Sequence, residues 1–89
     1  MELHEIKRKY GINFKERNAI LTKQGSVCAI CGDLISFKIK ENFNVIKKAI
    51  IDHNHKTGKV RGILCSYCNI GLGCFKDNKD ILKNAIKYL

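Results

Sequence analysis

Two Cys-x-x-Cys pairs sit far apart in a chain of 89 residues: Cys28-Ala29-Ile30-Cys31 and Cys65-Ser66-Tyr67-Cys68. The sulfurs of one such turn can meet a single ion without strain. Two pairs brought together complete a tetrahedron, the arrangement zinc prefers. A chain this short buries only a modest apolar core and commonly needs a metal or disulfides as a staple. The thiols therefore require the segments around residues 28 and 65 to meet in space.

Disulfides account for the cysteines less well. The count is odd, at five, and four of them fall into the two pairs. Residues 1–7 are charged and lack the apolar centre of a secretory leader. No apolar run approaches the ~20 residues that span a bilayer. These features lead us to expect a reducing, intracellular, cytoplasmic setting and no membrane partner. Iron competes with zinc, because Cys31 is followed by Gly32 as in rubredoxin-like sites. A basic chain with few aromatics argues against electron transfer. The fifth cysteine lies in the apolar stretch Gly71-Leu72-Gly73-Cys74-Phe75, where a small buried side chain is expected.

Lysine and arginine number 17 against 8 acidic residues, a formal charge of +9. On so small a body this attracts polyanions, of which nucleic acid is the usual one. A lysine-rich surface can also be merely solvated, so charge alone decides nothing.

Hydrophobic spacing supplies the frame. Leu3, Ile6 and Tyr10 suit a short helix. Asn13-x-x-Glu16 reads as a capping box for a helix running to about Gln24 and ended by Gly25, with Ile20 and Leu21 inward. Residues 28–32 read as a metal knuckle. Ile35, Phe37 and Ile39 alternate like a strand, with a turn near residues 40–42. Ala49-Ile50-Ile51 is a strand leading into Asp52. Residues 56–59 turn, and residues 60–64 return. Ser66 can cap a helix carrying Cys68 and Asn69. A last helix begins near Asp77 or Asn78, with Ile81, Leu82, Ala85, Ile86 and Leu89 on one stripe. Nothing divides the chain, so a single α+β domain over residues 1–89 is expected. Its strand-strand-helix core spans about residues 48–75.

Asp52-His53-Asn54-His55 lies between the cysteine pairs, and Asn69 follows Cys68 directly. Phosphodiester hydrolysis needs an activated water, charge relief at the phosphate oxygens and help for the leaving oxygen. Histidine suits the general base. A carboxylate and an amide oxygen can hold a hard divalent cation and leave positions open for water and phosphate. Neighbouring strand residues start on opposite faces, so Asp52 and His53 share a site only if the strand twists or ends there.

The ordered set from Asp52 to Asn69, followed by Gly71-Leu72-Gly73 and Phe75-Lys76-Asp77-Asn78, resembles the recombination endonuclease VII family. These are phage-type HNH nucleases with a ββα-metal (His-Me finger) fold. Cys28-Ala29-Ile30-Cys31-Gly32 is similar to the family's first zinc knuckle. The resemblance implies a zinc-stapled ββα-metal domain with flanking helices, encoded by a phage or mobile element. It implies structural Zn²⁺ at Cys28, Cys31, Cys65 and Cys68, and catalytic Mg²⁺ or Mn²⁺ at Asp52 and Asn69. His53 would be the general base and His55 would contact the scissile phosphate or orient the site. Lys56, Lys59 and Arg61, around the hairpin turn, would meet flanking DNA phosphates. Two modes of action stay open: branched DNA cut by a homodimer, and nicking with less selectivity. A non-catalytic zinc-knuckle module that binds DNA is the alternative, and Asp52, His53 and Asn69 separate the two.

Overall fold

A computed structural model describes residues 11–38 and 46–89. The short helix expected over residues 3–10, the alternating position Ile39 and the turn near residues 40–42 lie outside the described residues.

Helix α1 spans Phe14–Lys23. Its capping box is complete: the Glu16 amide donates to Asn13 Oδ1 at 2.8 Å, and the Asn13 amide donates back to Glu16 Oε1 at 3.2 Å. Three strands follow, β1 (Ile35–Ser36), β2 (Lys47–His53) and β3 (Val60–Cys65), in the order β1-β2-β3. β1 pairs parallel with β2, and β2 and β3 form an antiparallel hairpin. Helices α2 (Ser66–Cys74) and α3 (Lys79–Tyr88) complete the described fold. The architecture is a small α+β domain. No helix among the described residues is long and apolar enough to cross a membrane.

α2 packs on β2 and β3, and α1 packs on β3. β3 is accordingly buried without interruption from Gly62 to Cys65, as a strand covered on both faces must be. The core is small: Cys28, Ile35, Ala49, Ile63, Leu64 and Cys65, with Ile20, Leu21, Phe37, Cys68 and Leu72 against it. Two of its buried members are thus thiols, so the core is built around the cysteine cluster.

The residue that ties α1 to the sheet is Gln24. Its side-chain amide donates to the Ile63 carbonyl at 2.8 Å and the Val27 carbonyl at 2.9 Å, while its Oε1 accepts from the Ile63 amide at 2.9 Å. One side chain thereby closes the outer edge of β3. Gly62 has no side chain because a Cβ there would stand 3.1 Å from Gln24 Oε1. The Ile63 carbonyl also accepts from the Ala29 amide at 3.2 Å, so Gln24→Leu should leave the buried Ile63 amide unpaired and destabilise the domain by about 1–3 kcal/mol. Urea unfolding followed by circular dichroism checks this, and an unchanged midpoint would refute it.

Two local expectations differ from what is observed. Ser66 is the first helical residue of α2, and its cap is Cys65, whose sulfur accepts from the Cys68 amide at 3.3 Å. Cys74 is exposed, not buried. Four residues apart, Ile70 and Cys74 share the outward face of α2, whereas Cys68 and Leu72 share the face against the core. The apolar stripe of α3 is also largely outward. Ile86 is 74% exposed and Leu89 is fully exposed, while Leu82 and Ala85 are half-buried.

Candidate functional site

The sulfurs of Cys28, Cys31, Cys65 and Cys68 all lie within 4.8 Å of one another. Cys31 and Cys65 are 3.8 Å apart. A tetrahedron with zinc–sulfur bonds of about 2.3 Å has edges of about 3.8 Å, which the Cys31–Cys65 pair matches, and the four sulfurs are close enough to close on one ion. The first pair sits on a tight turn that Gly32 completes with φ +79°, a left-handed conformation glycine adopts freely. The Ile30 amide points at Cys28 Sγ from 3.4 Å. The second pair straddles the junction of β3 and α2.

Two of the thiols are held away from their ordinary pKa in opposite directions. Burial raises the Cys28 thiol, but backbone hydrogen bonds from Cys65, Cys31 and Ile30 outweigh it and draw the group down to about 6. Cys68 is pushed up to about 12, by burial first and then by hydrogen bonding to the neighbouring thiols. Cys28 is thus held towards its thiolate, while burial above all holds Cys68 towards its thiol. A bound dication would favour the thiolate form of all four.

Around the hairpin the register slips. Asp52 pairs with Gly62 and His53 with Val60, so Arg61 is an extra residue opposite that step. A bulge of this kind bends the strand and increases its twist. It re-aims the neighbouring side chains just where β2 ends at His53. Asp52 is buried at 8% exposure, and His53 is half-buried. The His53 and His55 ring centroids lie 4.9 Å apart, tilted by 55°. Asn54 holds the turn between strands: its Oδ1 accepts from the Lys56 amide at 2.8 Å and the Thr57 amide at 3.0 Å. His55, Lys56 and Lys59 are exposed there. Asn69 is half-buried on α2, one residue past Cys68.

Arg61 is exposed like the turn lysines, but its guanidinium is also engaged by carboxylates. Its Nε donates to Asp52 Oδ2 at 2.8 Å and its terminal nitrogen to Asp52 Oδ1 at 3.0 Å. The same terminal nitrogen lies 3.0 Å from Asp77 Oδ2. The Asp52 hydrogen bond, with the charge of both carboxylates, holds the guanidinium above its ordinary pKa. Hydrogen bonding uses one lone pair on each Asp52 oxygen, and a carboxylate has about four. The Asp52 carboxylate therefore keeps lone pairs that these two hydrogen bonds do not use.

A groove of about 720 Å³ runs beside this network. His55, Lys56 and Arg61 from the hairpin and Lys76, Asp77 and Lys79 from beyond α2 are among its lining residues. Neither Lys76 nor Lys79 is among the residues expected from the sequence to meet DNA. They come to the groove only because α2 ends where it does.

The family model for recombination endonuclease VII matches residues 3–89. The Gene 59 proteins of Mycobacterium phages D29 and L5 are each 42% identical to the chain over 82 residues, covering 90% of this chain and 44% of theirs. The crystal structure of the ββα-Me type II restriction endonuclease Hpy99I is similar with a TM-score of 0.57 and 34% identity, over 96% of this chain and 46% of that one. The chain thus spans less than half the length of these relatives.

Proposed function

Because this chain belongs to the recombination endonuclease VII family, we propose that it is an HNH-type, metal-dependent endonuclease that hydrolyses phosphodiester bonds in DNA. The observation that carries this reading is the ordered set of Asp52, His53 and Asn69 on a strand-strand-helix unit whose four cysteine sulfurs are close enough to close on one ion.

In this reading Cys28, Cys31, Cys65 and Cys68 hold structural zinc and so fix α2 relative to the hairpin. Asp52 and Asn69 hold Mg²⁺ or Mn²⁺, which supplies charge relief at the phosphate and at the leaving oxygen. His53 takes the proton from the attacking water. His55, exposed beside it, contacts the scissile phosphate or orients the site. Lys56 and Lys59 neutralise phosphates on either side of the cut, which positions DNA without reading its sequence. Lys76 and Lys79 extend that track along the groove. Products carry 5′-phosphate and 3′-hydroxyl ends.

Supercoiled plasmid incubated with the protein should be nicked with Mg²⁺ or Mn²⁺ and left intact in EDTA added just before the assay. Four-way junctions beside linear duplex in the same assay tell a branch-cutting homodimer from a nickase. DNA bound but uncut with either ion would favour the non-catalytic zinc-knuckle module.

A further inference from the structure

Arg61 and Asp77 lie outside the set of residues that the proposed reaction uses, yet both are built onto Asp52. The bulge at Arg61 turns its guanidinium along the Asp52 carboxylate, with two hydrogen bonds of 2.8 and 3.0 Å. Asp77 arrives from the other direction. α2 ends with the Lys76 amide donating to the Gly73 carbonyl and the Asp77 amide to the Leu72 carbonyl, both at 2.9 Å. This pattern is a Schellman motif. Lys76 and Asp77 both adopt left-handed backbone, φ +57° and +55°. Two successive non-glycine residues seldom do so, and they persist where surrounding contacts over-determine them. Here the motif carries the Asp77 carboxylate to 3.0 Å from Arg61.

One guanidinium is therefore shared by two carboxylates, and the trio keeps one negative charge. If Arg61 faced Asp52 alone, the pair would be neutral and would attract a cation weakly. If Asp52 stood without Arg61, it would be a buried carboxylate with no partner and no fixed orientation. We propose that Arg61 and Asp77 are positioning residues that set the charge and orientation of Asp52 for its divalent cation. Arg61 holds the carboxylate in place, and Asp77 draws off enough of the guanidinium's charge to keep the site attractive to metal. The inference rests on the reading of Asp52 as a metal ligand.

Opposite signs test it. Mn²⁺ affinity is measured on the zinc-loaded full chain by electron paramagnetic resonance of the free ion. Asp77→Asn makes the trio neutral and should weaken Mn²⁺ binding on the order of tenfold, as a unit charge a few ångströms from a dication does. Arg61→Gln makes it doubly negative while the glutamine amide can still donate to Asp52 and hold it, so binding should tighten by a similar factor. The double variant restores one negative charge and should return close to the wild-type affinity. A merely structural role would lower melting temperature and metal affinity together in both single variants. Weaker binding in both, or an unchanged affinity in Asp77→Asn, would overturn the proposal. Asp77→Asn keeps the test decisive if Arg61→Gln fails to fold, because it removes only the outer carboxylate of the trio. Asp52→Asn separates the two readings. Its loss of Mn²⁺ binding with Asp77→Asn unaffected overturns this inference alone. Wild-type affinity in Asp52→Asn overturns the metal-ligand reading and this inference with it.

Discussion

Stripping zinc from the domain, or replacing Cys65 with serine, is expected to unfold it rather than weaken it. Cys65 is fully buried, belongs to the core, caps α2 through the Cys68 amide and supplies one corner of the sulfur tetrahedron. Replacement by serine keeps a side chain that can cap α2, but it removes one thiolate from the cluster and puts a hydroxyl into the buried core. Structural zinc contributes apparent binding energies of about 10–16 kcal/mol in small domains, and the site does not exist in the unfolded chain, so that energy is folding energy. Whole domains are stable by only about 5–15 kcal/mol. The apolar core cannot make up the loss, because the buried hydrophobic residues besides the thiols are just Ile35, Ala49, Ile51, Ile63 and Leu64 among the described residues. Circular dichroism after prolonged chelation should therefore lose the helical signal, and added Zn²⁺ should restore it. A chelated protein with its native spectrum and melting temperature would refute the structural role of the cluster.

His53→Ala should lower the nicking rate by about 10²–10⁴-fold, the usual contribution of a positioned general base. Zinc content, circular dichroism and DNA affinity should stay as in the wild type. His53 ends β2 and is only half-buried, so truncation leaves no large cavity. Single-turnover cleavage of a labelled duplex isolates the chemical step from product release. Wild-type rates in a folded His53→Ala protein would remove His53 from the reaction. His55→Ala should cost less, since His55 stands exposed on the turn.

Much of the fold was legible because its signals are short-range. Asn13 and Glu16 sit one turn apart and bond to each other's backbone, so their spacing alone places the start of α1. The apolar run Ala49-Ile50-Ile51 and the turn residues after Asn54 place the hairpin within a residue or two. Cys74 went the other way. Its apolar neighbours suggested burial, but only the packing of Cys68 and Leu72 decides which face of α2 turns outward. Gln24 looked like nothing more than the end of a helix. Its bonds to Ile63 cross 39 positions in the chain, and no local pattern announces them.

By itself the sequence determined that two distant knuckles must converge, that a strand-strand-helix unit lies between and across them, and which polar residues accompany it. Metal-ligand spacing, capping and side-chain alternation are local rules, and local rules survive without coordinates. Tertiary structure alone decided that β3 slips by one residue at Arg61, that the guanidinium closes on Asp52, and that α2 ends so as to bring Asp77 to the same cation. Those outcomes depend on register and on the meeting of chain segments far apart in sequence. Both are set by the packing of the whole domain around its four sulfurs.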